Sequence, residues 1–180
     1  MLTVEAQRSR QAMLRIEGPL GSFFLREDSD KPIIFVAGAT GFAPVKSMVE
    51  HAFATGLKRK MVLYWGTRKP GDMYARELCE QWAKDHPATF KFVPVISEAS
   101  PEDGWTGRTG LVHEAILADF PTLAGHQVYA CGSVAMVEAA HPAFRARGMD
   151  PNDCFSDAFR LTPHLARATP AEEVVKLGGA

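Results

Sequence analysis

Gly38, Thr40 and Gly41 sit between an apolar run and an amphipathic one in FVAGATGFAPVKSM, residues 35–48. Two glycines let a backbone come close to a ligand, and Thr40 adds a hydroxyl. A helix starting near Pro44 would aim its dipole and its free N–H groups at an anion. Such a turn suits a phosphate. Its spacing fits neither familiar glycine loop: no Gly-Lys pair follows Gly41, and the next glycine after Gly41 is Gly56. A plain strand-to-helix turn meets the same spacing, so both readings stand at this level.

YWGTRKPGDMY, residues 64–74, carries a second set. Gly66 ends an apolar run, and Thr67, Arg68 and Asp72 fall where the second strand of a nucleotide fold meets the adenosine ribose. A carboxylate there would accept from the ribose hydroxyls and repel a 2′-phosphate, whereas Arg68 would do the reverse. Asp72 is read first as the N-cap of the next helix and second as that ribose contact. In ACGSVAM, residues 130–136, Cys131 ends another apolar run, and Gly132 and Ser133 open a helix that includes Met136. The Cys131 thiol reads first as a small buried apolar group, because no neighbouring histidine would activate it. The six histidines form no H-E-x-x-H, and His113 and Glu114, as neighbours, fall on different sides of a helix. Metal and triad catalysis are therefore set aside.

These segments need a frame that brings them to one edge. Read for period, the middle of the chain alternates strand-like and helix-like stretches. IIFVA (33–37), MVLYWG (61–66), FKFVPVI (90–96), HQVYAC (126–131) and a short run at Cys154 and Phe155 read as strands. The pattern predicts helices over 43–55, 72–85, 109–119 and 134–147, with Pro44 in a first turn, where its missing N–H does least harm. Met73, Leu78 and Trp82 share a face of the second helix, and Pro94 favours an edge or a bulge. Repeated strand-helix units predict an α/β fold, a doubly wound parallel sheet of about five strands. Ligands bind at the carboxyl ends of such strands, where residues 38–44, 66–74, 97–107 and 131–136 converge.

Composition narrows the partners. The chain has 180 residues and a formal charge of -1, with charges interspersed, so nothing suggests nucleic acid. No apolar run reaches the length of a membrane span, and the first residues lack a secretory h-region, so the expected location is cytoplasmic. Three widely spaced cysteines fit neither a disulfide framework nor a zinc or iron-sulfur site. LRIEGPLGSFFLRED, residues 14–28, reads as a β-hairpin with arms at 14–17 and 22–26. That hairpin needs a surface to pack on. Residues 161–180 read as a flexible tail.

Six blocks, EGPLGSFFLR, AGATGFAPVKSM, YWGTRKPGDMY, GWTGRTGLVHEA, ACGSVAMVEA and CFSDAF, follow one another in the order found in the ferredoxin-NADP reductase family. The resemblance covers residues 14–159 and is to the bacterial NAD(P)H-flavin reductases, the oxygenase reductase components and the CDP-6-deoxyglucoseen reductases. It implies a nicotinamide-binding α/β domain that passes hydride from nicotinamide C4 to flavin N5. By resemblance, Gly38, Ala39, Thr40, Gly41 and Pro44 lie beside the nicotinamide and diphosphate. Gly66, Thr67, Arg68, Asp72 and Tyr74 line the adenosine side. Cys131, Gly132, Ser133 and Met136 lie beneath the nicotinamide, and Phe159 resembles the terminal aromatic against the flavin. Thr40 and Cys131 are the catalytic candidates on this resemblance.

Departures from the family pattern matter too. The R-x-[YF]-[ST] flavin motif is not found before Leu14, and no C-x4-C-x2-C run is present. The expected organisation is a barrel remnant over 1–30, an NAD(P)-binding domain over 31–160 and the tail. Ala39 stands where the family usually has a second glycine, which is compatible with most turns if its φ is negative. The expected function is an NAD(P)H-dependent flavin reductase or electron-transfer reductase. NADH is favoured, and FAD or FMN comes from solution or from a partner chain. Two other readings are a non-catalytic module, whose Phe23, Phe24 and Leu25 dock on another chain or its own copy, and a fragment of a longer flavoprotein.

Overall fold

The structure, a computed structural model, describes residues 21–159. One arm of the expected hairpin (14–17) and the tail (161–180) lie outside the described residues. Among those described, six strands form one sheet in the order β4-β3-β2-β1-β5-β6, with every neighbouring pair parallel. They are β1 (Ile33–Gly38), β2 (Met61–Thr67), β3 (Phe90–Ile96), β4 (Arg108–Thr109), β5 (Gln127–Ser133) and β6 (Cys154–Phe159). Four helices connect them: α1 (Phe42–Ala54), α2 (Arg76–Asp85), α3 (Val112–Asp119) and α4 (Val134–Ala146).

β1 shows why the sheet is double-faced. Its side chains alternate between two apolar cores, as a period of two requires. Ile33, Phe35 and Ala37 face α1 and α2, with Phe42, Val49, Leu63, Trp65 and Trp82. Ile34 and Val36 face α3 and α4, with Val112, Ile116, Ala140 and Phe144. A strand buried on both faces has no polar side to show, which accounts for the uninterrupted IIFVA. The chain runs outward from β1 through β2 and β3 to β4, then returns to place β5 on the other side of β1. This reversal creates a crevice between the carboxyl ends of β1 and β5.

Three expectations need correction. The second helix begins at Arg76, not at residue 72, because Pro70–Asp72 forms a separate 3-10 turn. Asp72 accepts a hydrogen bond from the Lys69 N–H at 3.0 Å and closes that turn, so it does not cap α2. The sheet gains β4, two residues long and so too short to show a period. Because β4 pairs β3 only at Val95 and Ile96, most of β3 is an edge, and Pro94 is tolerated there.

Residues 22–26 are irregular rather than an arm of a hairpin. Leu25 is buried and Phe23 meets Tyr129 edge-on at 6.2 Å, so two of the three apolar residues expected to seek a partner are covered by this chain's own core. Phe24 is exposed, with the Arg26 guanidinium 3.7 Å over its ring. Arg59 holds this segment down: its guanidinium donates to the carbonyls of Lys31 and Arg26 and to Gln127 Oε1, at 2.6 to 2.7 Å. None of the helices among the described residues is long and apolar enough to cross a membrane.

Candidate functional site

At the carboxyl edge of the sheet lies a cleft of about 480 Å³, within the usual range for small-ligand sites. The glycine turns explain how it is built. A Cβ on Gly41 would overlap the carbonyl of Cys131, and one on Gly132 would stand 3.1 Å from the Gly38 Cα. The β1 and β5 ends therefore approach as closely as backbones can. Met136 lies across both: a Cβ on Gly38 would meet its sulfur at 2.6 Å, and one on Gly132 its terminal methyl at 2.7 Å. Glycine at 41 is a packing requirement of the crevice, because its neighbours there are backbone; at 132 a Cβ would crowd the Gly38 Cα, and at 38 it would meet chiefly the flexible end of the Met136 side chain.

Two helices begin at this edge. The first turn of α1 carries no acidic residue and no side chain caps it, so its dipole faces an anion or water unopposed, although the Phe42 N–H donates to the Ala39 carbonyl and Pro44 has no N–H. The first turn of α4 is also free of acidic residues, and Ser133 Oγ accepts from the Met136 N–H at 3.2 Å as its N-cap. On the opposite wall, Thr67, Arg68 and Ser97 line the cleft beside Gly66. The loops after β2 and β3 are tied there, with the N–H groups of Ser97 and Glu98 donating to the carbonyls of Thr67 and Arg68, both at 2.9 Å. Arg68 and His113 are the basic side chains of the lining, which contains no acidic one. At the rim, the Glu98 carboxylate stands 3.6 Å from Arg68 Nε, both side chains being mostly exposed.

Of the residues expected in the site, Gly38, Ala39, Gly66, Thr67, Arg68, Ser133 and Met136 line the cleft together. Thr40 is exposed in the 3-10 turn Ala39–Gly41, and Pro44 is half-buried in the first turn of α1. Gly41 and Gly132 act from beneath, through backbone packing. Asp72 stays outside, engaged with Lys69, and Tyr74 is exposed against Phe42 and Trp65, at 5.9 and 5.2 Å between centroids. Phe159 ends β6, and its side chain lies outside the described residues. Cys131 is the clearest departure for a catalytic candidate. Its side chain is fully buried in the core on the α1 side, and burial, aided by Asp157, pushes the thiol up to about 12. A thiol held protonated there is no nucleophile.

Ala39 also departs from expectation: its φ is +46°, in the left-handed region. Its carbonyl accepts from the Trp65 indole N–H at 3.0 Å. Ser97, Leu111, Val112, His113, Ala135 and Ala139 complete the lining; Ser97 and Ala135 fall in segments expected at this edge, His113 reads from the sequence only as a metal or catalytic group, and the other three carry no sequence signal. For His113 a signal existed, since it falls in the first turn of a helix that starts two residues after Gly110. A second depression of about 300 Å³ lies at the other edge, beside Ile33, Met61 and Phe90 at the starts of three strands. Among the described residues no strand-to-helix turn faces that edge, which makes the carboxyl-edge cleft the candidate site.

The chain has clear relatives. The family model of the oxidoreductase NAD-binding domain matches residues 35–142. The chain is 48% identical over 149 residues to CDP-6-deoxy-L-threo-D-glycero-4-hexulose-3-dehydrase reductase of Yersinia pestis, covering 83% of this chain and 44% of that protein. It is 37% identical over 145 residues to the NAD(P)H-flavin reductase of Aliivibrio fischeri, covering 80% of this chain and 60% of that one. The crystal structure of the cytochrome P450 reductase GcoB of Amycolatopsis superposes with a TM-score of 0.71 at 36% identity, over 79% of this chain and 42% of that one. The chain thus spans about half the length of the relatives it matches.

Proposed function

This chain belongs to the oxidoreductase NAD-binding domain family, and from that premise we propose that its cleft binds a nicotinamide dinucleotide and serves a flavin reductase or an electron-transfer reductase. The observation that carries the reading is the cradle itself. Gly41 leaves no room for a Cβ, Gly38 and Gly132 let the β1 and β5 ends meet closely, two helix N-termini free of acidic residues open beside them, and the lining carries Arg68 and His113 with no acidic side chain. Residues of this type fit a diphosphate between two nucleosides. When bound, the dinucleotide supplies a hydride from nicotinamide C4, which a flavin accepts at N5.

The chain's own share is binding and orientation. Gly38 and Ala39 border the diphosphate and nicotinamide half, and Thr40 stands exposed at the reacting end. Ser133 and Met136 form the surface beneath the nicotinamide, with Cys131 contributing backbone only. Thr67 and Arg68 border the adenosine half. NADH is the favoured cofactor, for a reason other than Asp72. The Glu98 carboxylate beside Arg68 partly neutralises the cation that would hold a 2′-phosphate, and it repels that phosphate directly. The three cysteines are unpaired, which fits a reducing compartment and supports a cytoplasmic location.

Flavin and the final electron acceptor are part of the proposal, because the chain covers only 44% of the Yersinia reductase. Calorimetric titration of the full chain with NADH and with NADPH tests the reading; the expected result is saturable binding, tighter for NADH. Addition of FMN or FAD should then raise NADH oxidation to a plateau. Failure to bind either dinucleotide overturns the proposal.

A further inference from the structure

Ala39 is the non-glycine residue with positive φ among the described residues, at +46°, and it lines the cleft next to Gly38. L-residues avoid that region because Cβ crowds the following carbonyl. Something must hold Ala39 there. Two donors hold its carbonyl: the Phe42 N–H, which closes the 3-10 turn, and, from outside the turn, the indole N–H of Trp65 at 3.0 Å. Trp65 is fully buried and lies parallel to Phe42, with centroids 4.0 Å apart and planes 11° from one another. Its backbone is fixed in β2 between Ala37 of β1 and Pro94 of β3.

Trp65 therefore touches the dinucleotide turn at both ends: Ala39 at its start through a hydrogen bond, and Phe42, the first residue of α1, through a ring face. The bond locks in both directions. If the Ala39 peptide rotated to relieve φ, its carbonyl would leave, and a buried indole N–H would lose its partner. Conversely, the indole cannot follow the carbonyl, because Phe42 and the sheet fix its plane. Trp65 does not line the cleft.

We propose that Trp65 is a positioning residue for the dinucleotide: its indole N–H keeps Ala39 left-handed and so fixes how the backbone from Gly38 to Gly41 faces the ligand. This rests on the reading of the cleft as a nicotinamide dinucleotide site.

Trp65→Phe retains an aromatic ring against Phe42 and removes the N–H. NADH titration of the full chain should show Kd raised about fivefold to tenfold, the scale of one hydrogen bond, with the far-ultraviolet circular dichroism unchanged. Ala39→Gly added to Trp65→Phe should return Kd to within about twofold of wild type, because glycine takes a positive φ without a holder. A merely structural role for Trp65 would lower the melting temperature, and glycine at 39 would not restore binding. If Trp65→Phe does not fold, replacing the indole by its benzothienyl isostere removes the N–H while keeping the ring shape, and the same rise in Kd is expected. Unchanged Kd in the folded variant, or no recovery in the double variant, overturns the proposal while wild-type binding still upholds the site. A wild type that binds neither dinucleotide overturns the functional reading and this inference with it.

Discussion

Glu98 shows how much one side chain at the rim can decide. Its carboxylate lies 3.6 Å from Arg68 Nε, and the pair is exposed enough that solvent and salt weaken it. Glu98→Gln keeps the shape and removes the charge, so Arg68 becomes free to attract a 2′-phosphate. The ratio of NADPH Kd to NADH Kd should fall about fivefold at low salt and by less at high salt; an unchanged ratio would show that Glu98 does not face the ribose. The cysteines make the opposite case, of residues whose chemistry the fold suppresses. Burial, with Glu80 nearby, pushes the Cys79 thiol up to about 12, and burial with Asp157 does the same to Cys131. Neither should react with a maleimide in native protein at about pH 8, where an ordinary free thiol reacts. Both should react after unfolding in guanidinium, and mass spectrometry of the peptides reads the difference.

At the scale of elements, a three-sided network ties β2, β4 and α3. The Tyr64 hydroxyl donates to Asp119 at 2.5 Å and Arg108 donates to the other carboxylate oxygen at 2.6 Å. Partial burial pushes the Asp119 carboxyl up, but the bonds from Arg108 and Tyr64 outweigh it and leave its pKa lowered. A carboxylate with a depressed folded pKa adds stability that is complete above its unfolded value, about 3.9, and is lost as pH falls through the folded value. The urea midpoint should therefore drop as pH falls below about 4, and Asp119→Asn should flatten part of that slope; an identical slope in the variant would show that Asp119 does not contribute. The elements differ in how legible they were. β1, β2, β5 and the helix starting beside Pro44 could be read because a strand buried on both faces is apolar through its middle and a glycine (Gly38, Gly66, Gly132) marks each carboxyl end. The start of α2 could not, because Asp72 has cap chemistry but Pro70 diverts it into a separate turn. The wall formed by Leu111, Val112 and His113 depends on how α3 crosses the sheet, which no local pattern encodes. Ala39 was legible as a departure from a glycine, but its positive φ depends on Trp65, 26 residues away.

The whole molecule separates stability from the site along its strands. β2 runs from Met61 to Thr67, which is roughly 20 Å at the rise of an extended chain, with Arg59 just before one end and the cleft at the other. Arg59 is 6% exposed and satisfies the carbonyls of Lys31 and Arg26 and the amide oxygen of Gln127. Gln127 in turn accepts from the Tyr129 hydroxyl at 3.1 Å, and that hydroxyl accepts from the Arg26 N–H at 2.9 Å. This cluster holds residues 26–31 on the sheet, the stretch through which the chain enters β1. Arg59→Ala removes a charged donor from three acceptors, of which Gln127 Oε1 keeps the Tyr129 hydroxyl, a loss of about 3 kcal/mol. Met in place of Arg fills the volume but restores none of the bonds. Both variants should unfold at clearly lower urea concentration, with Ala the weaker, while NADH Kd stays within about twofold of wild type, since neither glycine turn nor Trp65 touches the cluster. A large rise in Kd at intact fold would show instead that the entry segment and the carboxyl edge are coupled through β1 and β5, and that the two ends of the sheet do not act independently.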